Sequence, residues 1–164
     1  MSVDVIIEAD AWGEVPLQDW ADRAAEATLA RLGLEPAAWE IALLACDDTR
    51  IGQLNADFRG KPVPTNVLSW PSEERGAAVP GETPAPPDPA EPELGDIALA
   101  FETCRNEARA GGKALADHAT HLVVHGILHL LGYDHIRDAD GDLMEQLETE
   151  ILCTLGIADP YGYE

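Results

Sequence analysis

Short segments with β character recur along the chain and predict four strands. Apolar and polar residues alternate over residues 3–9, and residues 40–46 (EIALLAC) form an apolar run of strand length. Residues 66–70 (NVLSW) and 95–102 (GDIALAFE) have the same character. The pattern therefore predicts a small sheet whose strands precede the helical end of the chain.

Apolar residues at helical spacing predict the helices that separate these strands. Pro16 opens a helix that Gly33 ends, and Asp47 or Asp48 caps a second, short helix. The last strand is followed by another short helix over residues 103–112, which ends at two glycines. The first half of the sequence is thus rich in strands, and the end is helical.

Two longer helical patterns complete the chain. The first, from about Lys113 to Leu131, is unusually apolar and carries four histidines, which predicts a central, buried helix. The second, from about Asp138 to Gly156, is amphipathic. This order of elements predicts an α+β fold, in which helices pack on a small mixed β-sheet within a single domain.

The overall composition limits the class of protein. A chain of 164 residues, 46% of them hydrophobic, makes one domain with a core over residues 1–164. No apolar run approaches the roughly 20 residues that span a bilayer, and the first residues do not resemble a signal peptide. We therefore expect a cytoplasmic protein with no membrane partner. The formal net charge of −21 opposes nonspecific binding to nucleic acid.

Histidines in the segment HGILHLLGYDH carry the strongest chemical signal. His125 and His129 are about one helical turn apart and face the same side of a helix. Gly132 can end that helix in a left-handed conformation, and the turn can bring His135 to the same ion. Three neutral imidazoles leave a fourth position for water, so we expect one catalytic Zn²⁺ per chain. The same ligands also accept nickel, copper or iron.

Two further histidines on the same helix are alternatives to this ligand set. His121 and His129 are separated by about 12 Å of helix rise, which is too far for both to bind one ion. We therefore place His121 behind the ligands or facing the substrate. We expect His118 to be solvated.

The histidine spacing is also that of the zinc peptidase signature HExxHxxGxxH. Gly126 occupies the position of the peptidase's glutamate, so the general base of that class is missing. A glycine there either leaves space beside the metal for a bulky substrate or lets the helix pack closely on a neighbour. Both interpretations are open from the sequence alone.

A proline-rich, acidic segment interrupts the pattern at about residues 72–93. The stretch from Pro71 to Glu93 holds seven of the 12 prolines and six acids, with a single basic residue. Such a composition buries little apolar surface. The segment is predicted to be a loop or disordered insert that is mobile and dispensable for the zinc site.

Residues 125–135 resemble the hallmark of the YbeY-type endoribonucleases, which is close to HGxLHLxGYDH. The resemblance extends upstream to residues 54–71 (LNADFRGKPVPTNVLSWP) and to residues 94–100 (LGDIALA). Downstream it includes the run LETEILCTLG at residues 147–156. The resemblance covers most of the chain outside its first thirty or so residues and the insert.

The resemblance implies a metal-dependent hydrolase in which His125, His129 and His135 bind zinc and Arg59 has a functional role. It also implies a nuclease that cleaves single-stranded rRNA during 3′ end processing of the small-subunit rRNA. The implied partners are the small ribosomal subunit and its assembly proteins. Ribosome biogenesis is therefore the expected process.

Arg59 follows the short second helix, and its planar guanidinium suits bidentate contact with a phosphate. A surface ion pair with one of the 31 acids is the alternative. One basic cleft lined by Arg50, Arg59, Lys61 and Arg105 is expected. Such a cleft would let RNA bind locally although the net charge of the chain is strongly negative. We assign substrate binding to Arg59, Lys61 and His121.

Asp134 is the acid nearest in sequence to the three histidines. It is a candidate catalytic residue, either as a partner of a ligand or as a proton acceptor at the zinc-bound water. The alternative is an aspartate that stabilises the turn after Gly132. Together with Arg59, Asp134 completes the predicted catalytic set.

Three functions fit these observations. The first is a zinc-dependent endoribonuclease, in which the metal activates a water or polarises a phosphoryl oxygen while Arg59 holds a phosphate. The second is a ribosome-assembly binding factor with a structural zinc. The third is a small zinc peptidase, which Gly126 disfavours.

Overall fold

The computed structural model describes residues 3–158 and residue 160. Four strands in the first two thirds of the chain precede three consecutive helices, as the sequence pattern predicts. The strands are β1 (Val3–Ile7), β2 (Glu40–Cys46), β3 (Val67–Pro71) and β4 (Glu93–Ala100). The helices are α1 (Leu17–Arg31), α2 (Asp48–Arg59), α3 (Phe101–Ala110), α4 (Leu115–Leu130) and α5 (Asp138–Thr154), with 3₁₀ turns at Asp10–Glu14 and Pro36–Ala38.

The four strands form one mixed sheet in the order β1-β2-β4-β3. Strands β1, β2 and β4 are parallel, and α1 provides the crossover that the first parallel pair requires. Strand β3 is antiparallel to β4 and lies at the edge of the sheet. The predicted α+β domain with a small mixed sheet is confirmed.

Helix α4 lies in the core between the sheet and helices α1, α3 and α5. Its residues Val123, Val124, Ile127 and Leu128 are fully buried, which explains why its sequence is apolar on nearly all sides. The predicted central histidine-bearing helix is thereby confirmed. None of the helices in the described part of the chain is long and apolar enough to cross a membrane.

Most element boundaries differ from the sequence prediction by one or two residues, and two of these differences have a physical reason. The strand expected over residues 95–102 ends at Ala100, because Phe101 already begins α3 and packs its ring against Trp12 at a centroid distance of 5.0 Å. Phe101 is apolar and therefore continues the strand pattern in the sequence, although it is the first residue of the helix. Helix α4 begins at Leu115 rather than near Lys113, since Ala114 has an extended backbone.

The proline-rich insert contains neither helix nor strand over residues 73–92, yet it packs against the domain. Pro84 and Pro87 are buried. The Arg75 guanidinium donates hydrogen bonds to the carbonyl oxygens of Leu94 and Leu130, at 3.2 and 2.7 Å. These contacts hold the insert on the domain, because hydrogen bonds from two arginines offset the small apolar burial that its composition allows. The second arginine is Arg137, which donates to the carbonyl oxygens of Ala77 and Ala78. That the insert is dispensable for the zinc site stays a prediction.

Candidate metal centre

Helix α4 brings the first two predicted ligands together. His125 and His129 lie one turn apart, and their Nε2 atoms are 3.0 Å from each other. Both side chains are about four-fifths buried, with 19% and 20% of their surface exposed. The helix thus presents two ring nitrogens to one point beside the protein surface.

A glycine turn brings the third histidine to the same point. Gly132 has a φ of +100°, its N–H donates to the His129 carbonyl, and the Tyr133 N–H donates to the Leu128 carbonyl, both at 3.0 Å. This pairing is the Schellman motif, which closes a helix and reverses the chain. A Cβ atom at position 132 would lie 2.5 Å from the backbone oxygen of Arg75, so only glycine fits.

The three histidines form a set that fits a single metal ion. One ring nitrogen from each of His125, His129 and His135 lies within 4.8 Å of the other two. Ligands about 2.1 Å from a tetrahedral zinc ion are roughly 3.4 Å apart, so small ring rotations bring all three nitrogens to binding distance. His135 is the exposed member, which leaves the fourth side of the site open to solvent.

The protonation of His129 suits a metal ligand. Burial, followed by the positive charge that His125 can carry, lowers the pKa of His129 from 6.5 to about 4. The ring is therefore neutral near pH 7, and its lone pair is available without the release of a proton.

Glu148 on α5 supports the set from behind and was missed by the sequence analysis. Its side chain is buried, and Oε1 accepts a hydrogen bond from His125 Nδ1 at 2.5 Å. A proton held on Nδ1 leaves the Nε2 lone pair facing the site. The sequence did contain a signal for this role. Glu148 lies between Leu147 and Ile151 on the apolar side of an amphipathic helix, where a buried charge needs a partner.

We expect Glu148→Gln to weaken zinc binding by about 10- to 100-fold, because a neutral amide holds the His125 tautomer less firmly than a carboxylate. Competition with a chelator of known affinity measures the change. Glu145→Gln, a neutralisation on the same helix, serves as the control and should keep the parent affinity. Equal zinc affinity in Glu148→Gln and the parent would remove this role.

Gly126 packs α4 closely against the sheet. A Cβ atom at this position would lie between 3.1 and 3.4 Å from three side-chain carbons of Ile97 on β4. The close-packing interpretation of Gly126 is therefore correct, and the alternative of open space beside the metal is wrong. Position 126 therefore lies on the side of α4 that packs against β4.

The remaining histidines of α4 are less exposed than expected. The predicted solvation of His118 is wrong, because its side chain is 11% exposed and Nε2 lies 2.9 Å from Glu107 Oε1. His121 is 13% exposed, and its Nε2 lies 3.5 Å from the same Glu148 oxygen that His125 contacts. His121 thus lies behind the ligand set, one of the two positions expected for it.

A groove of about 570 Å³ opens beside the metal centre, and Arg59 lines it together with His129 and His135. Arg59 is exposed. Within residues 3–158 and residue 160, its guanidinium makes no ion pair, so the alternative of a surface ion pair finds no partner there. An exposed guanidinium that lines the same groove as two of the three imidazoles is suited to bind a phosphate.

The other basic residues expected to line the cleft lie elsewhere. Arg50 Nε pairs with Glu8 at 3.5 Å, and the Arg105 guanidinium lies 5.7 Å above the Phe101 ring. Lys61 is exposed but is not among the residues that line the groove. Arg75 and Arg137 line it instead, and both also hold the insert. The sequence analysis did not include Arg75 in the cleft because the two residues before it are acidic.

Asp134 has contacts that fit both of its predicted roles. Its Oδ1 accepts a hydrogen bond from the His135 backbone N–H at 2.7 Å, which stabilises the turn. The same oxygen lies 3.9 Å from His129 Nδ1. Asp134 is therefore at the edge of the site, with 45% of its side chain exposed to the groove and to solvent.

Known proteins resemble this chain over its whole length. The sequence model of a family described as Endoribonuclease YbeY matches residues 7–156. A protein named Endoribonuclease YbeY from Ruegeria pomeroyi is 60% identical, with 100% of both chains covered. One of the same name from Dinoroseobacter shibae is 56% identical over 98% of this chain and 90% of its own. The solution structure of a Thermotoga maritima protein matches with a TM-score of 0.55 at 20% identity, over 99% of each chain, and shows the same fold.

Proposed function

The chain belongs to the endoribonuclease YbeY family, and we propose that it is a zinc-dependent enzyme that cleaves single-stranded RNA in rRNA maturation. The observation that carries this proposal is the convergence of His125, His129 and His135 beside a groove lined by Arg59, which makes no ion pair with the residues that the structure describes. The names of the relatives supply the substrate class. The specific process proposed is 3′ end maturation of small-subunit rRNA, within ribosome biogenesis in the cytoplasm, with the small subunit and its assembly proteins as partners.

Zinc held by the three imidazoles would supply an activated water or a polarised phosphoryl oxygen. The chain's own residues then have separate tasks. Glu148 and the Gly132 turn fix the orientation of the ligands, and Arg59 binds a phosphate oxygen and offsets the charge that develops on it. Asp134 is placed to accept a proton at the groove.

His121 and Lys61 enter the proposal as RNA-binding residues with different support. His121 lies next to His125 on α4, at a ring centroid distance of 6.4 Å. Lys61 follows the Gly60 cap of α2 and is exposed two residues after Arg59, where a longer RNA can reach it. Lys61 suits a contact outside the reacting phosphate, whereas His121, which lies behind the ligand set, would act on the RNA only through His125.

The two rival functions have weaker support. A peptidase needs a general base at position 126, and that position instead holds a glycine packed on Ile97. A binding factor with structural zinc would have a closed site, whereas His135 and the groove leave one side of this site open.

The preference for single-stranded RNA can be tested by comparing one RNA strand in its unpaired and duplex forms. We expect the zinc-loaded protein to cut an unstructured RNA at least about 10-fold faster than the same strand in a duplex, because the rigid A-form helix restricts access to the reacting phosphate. Gel analysis of end-labelled strands measures both rates. Equal cleavage of the two substrates would contradict the single-strand preference, and binding without any cleavage would favour the binding factor.

A further inference from the structure

An exposed aromatic residue lies next to Arg59 at the end of α2. Phe58 has 64% of its surface exposed, although a large apolar ring is ordinarily favoured in the interior. The ring is nevertheless held in place, because it meets Trp70 of β3 edge-on at a centroid distance of 5.4 Å and an interplanar angle of 68°. Trp70 thus supports the Phe58 ring on one side, while most of the surface of Phe58 stays exposed.

The position of Phe58 links it to the metal groove. Arg59 is the next residue and lines the groove, and Gly60 ends α2 directly afterwards in a left-handed conformation. On edge strand β3, Ser69 also lines the groove while the adjacent Trp70 contacts Phe58. Each member of the aromatic pair is therefore adjacent in sequence to a residue that lines the groove beside the metal centre.

We propose that Phe58, supported by Trp70, is a stacking platform for an unpaired base of the RNA whose phosphate Arg59 binds. This inference rests on the proposed function and extends it to a binding site for a nucleobase. An aromatic ring next to an exposed arginine matches the alternation of base and phosphate along a single strand. A duplex keeps its bases stacked inside, so this platform also explains a preference for single strands.

A comparison of two ligands isolates the stacking contribution. One ligand is a short polyuridine RNA, and the other is an abasic ribose-phosphate chain of the same length and charge. Fluorescence anisotropy, recorded immediately after mixing with the zinc-loaded protein and before cleavage proceeds, gives the affinity for each. Phe58→Ala is compared with the parent, with Phe58→Tyr, and with Ile6→Ala, which truncates another exposed apolar residue on β1.

We expect Phe58→Ala to weaken polyuridine binding by about 5- to 100-fold and to leave abasic binding unchanged. Phe58→Tyr and Ile6→Ala should bind both ligands like the parent. A parent that binds neither ligand would refute the proposed function together with this inference. A parent that binds polyuridine while Phe58→Ala binds it equally well would refute the inference alone. Equal losses for both ligands, or a change in oligomeric state in Phe58→Ala, would likewise overturn it by indicating a role in folding or in a protein interface.

Discussion

His129→Ala is expected to purify with less than about a tenth of an equivalent of zinc, whereas the parent carries one. The Nε2 atom of His129 lies 3.0 Å from that of His125, and the His129 ring is about four-fifths buried, with a pKa that burial lowers to about 4. The two remaining histidines, one of them on an exposed turn, supply too few ligands to hold zinc tightly. Mass spectrometry for metals on dialysed protein measures the content directly.

A matched control separates loss of a ligand from loss of the helix. His118→Ala removes a histidine from the same helix, but His118 contacts Glu107 and lies outside the ligand set. This variant should keep one equivalent of zinc, and both variants should retain the parent's helical circular dichroism. A full equivalent of zinc in His129→Ala would remove the proposed site.

Arg59→Glu is expected to lower the cleavage rate or the affinity for unstructured RNA by about 10- to 100-fold, as the loss of charge-assisted hydrogen bonds to a phosphate predicts. Zinc content and melting temperature should stay near those of the parent, because Arg59 is exposed and no ion pair depends on it within residues 3–158. Arg59→Lys should give an intermediate rate, since lysine keeps the charge and loses the bidentate fork.

The control for charge reversal is Arg109→Glu, which makes the same change in net charge on an exposed part of α3 outside the groove. Its cleavage rate should remain within about two-fold of the parent at a fixed salt concentration. If Arg59→Glu cleaves RNA as well as Arg109→Glu does, Arg59 does not contact the substrate.

The sequence was sufficient for the parts of the site that depend on local geometry. His125 and His129 share a helix face by spacing alone, and Gly132 has the backbone conformation that its place in the motif required. The central helix was also predictable, because an apolar segment of that length has to be buried. These features need no knowledge of what lies across the core.

Features that depend on long-range packing were not accessible. Glu148 reaches His125 from another helix, and Arg75 reaches Leu130 from a loop whose composition suggested disorder. The predicted basic cleft was wrong for the same reason. Arg50 pairs with Glu8 and Arg105 lies over the Phe101 ring, and neither contact is visible in the sequence. Gly126 remained ambiguous until the distance to Ile97 decided between its two interpretations.

The net charge of −21 is compatible with an RNA substrate once its distribution is considered. The groove beside the metal centre is lined by three arginines, Arg59, Arg75 and Arg137, and by three acids, Glu74, Asp134 and Asp140, so its charges balance although acids predominate over the chain as a whole. Nonspecific attraction to RNA is therefore weak, and affinity depends on local contacts and on the metal centre.

The most direct test of the central claim is RNA cleavage by one protein sample before chelation, after chelation and after zinc is returned. A zinc-dependent endoribonuclease built on His125, His129 and His135 should lose cleavage when its metal is removed and should regain it with one equivalent of zinc per chain. His129→Ala, treated in the same way, should stay inactive after zinc is added. Undiminished cleavage by the metal-free parent protein would contradict the claim.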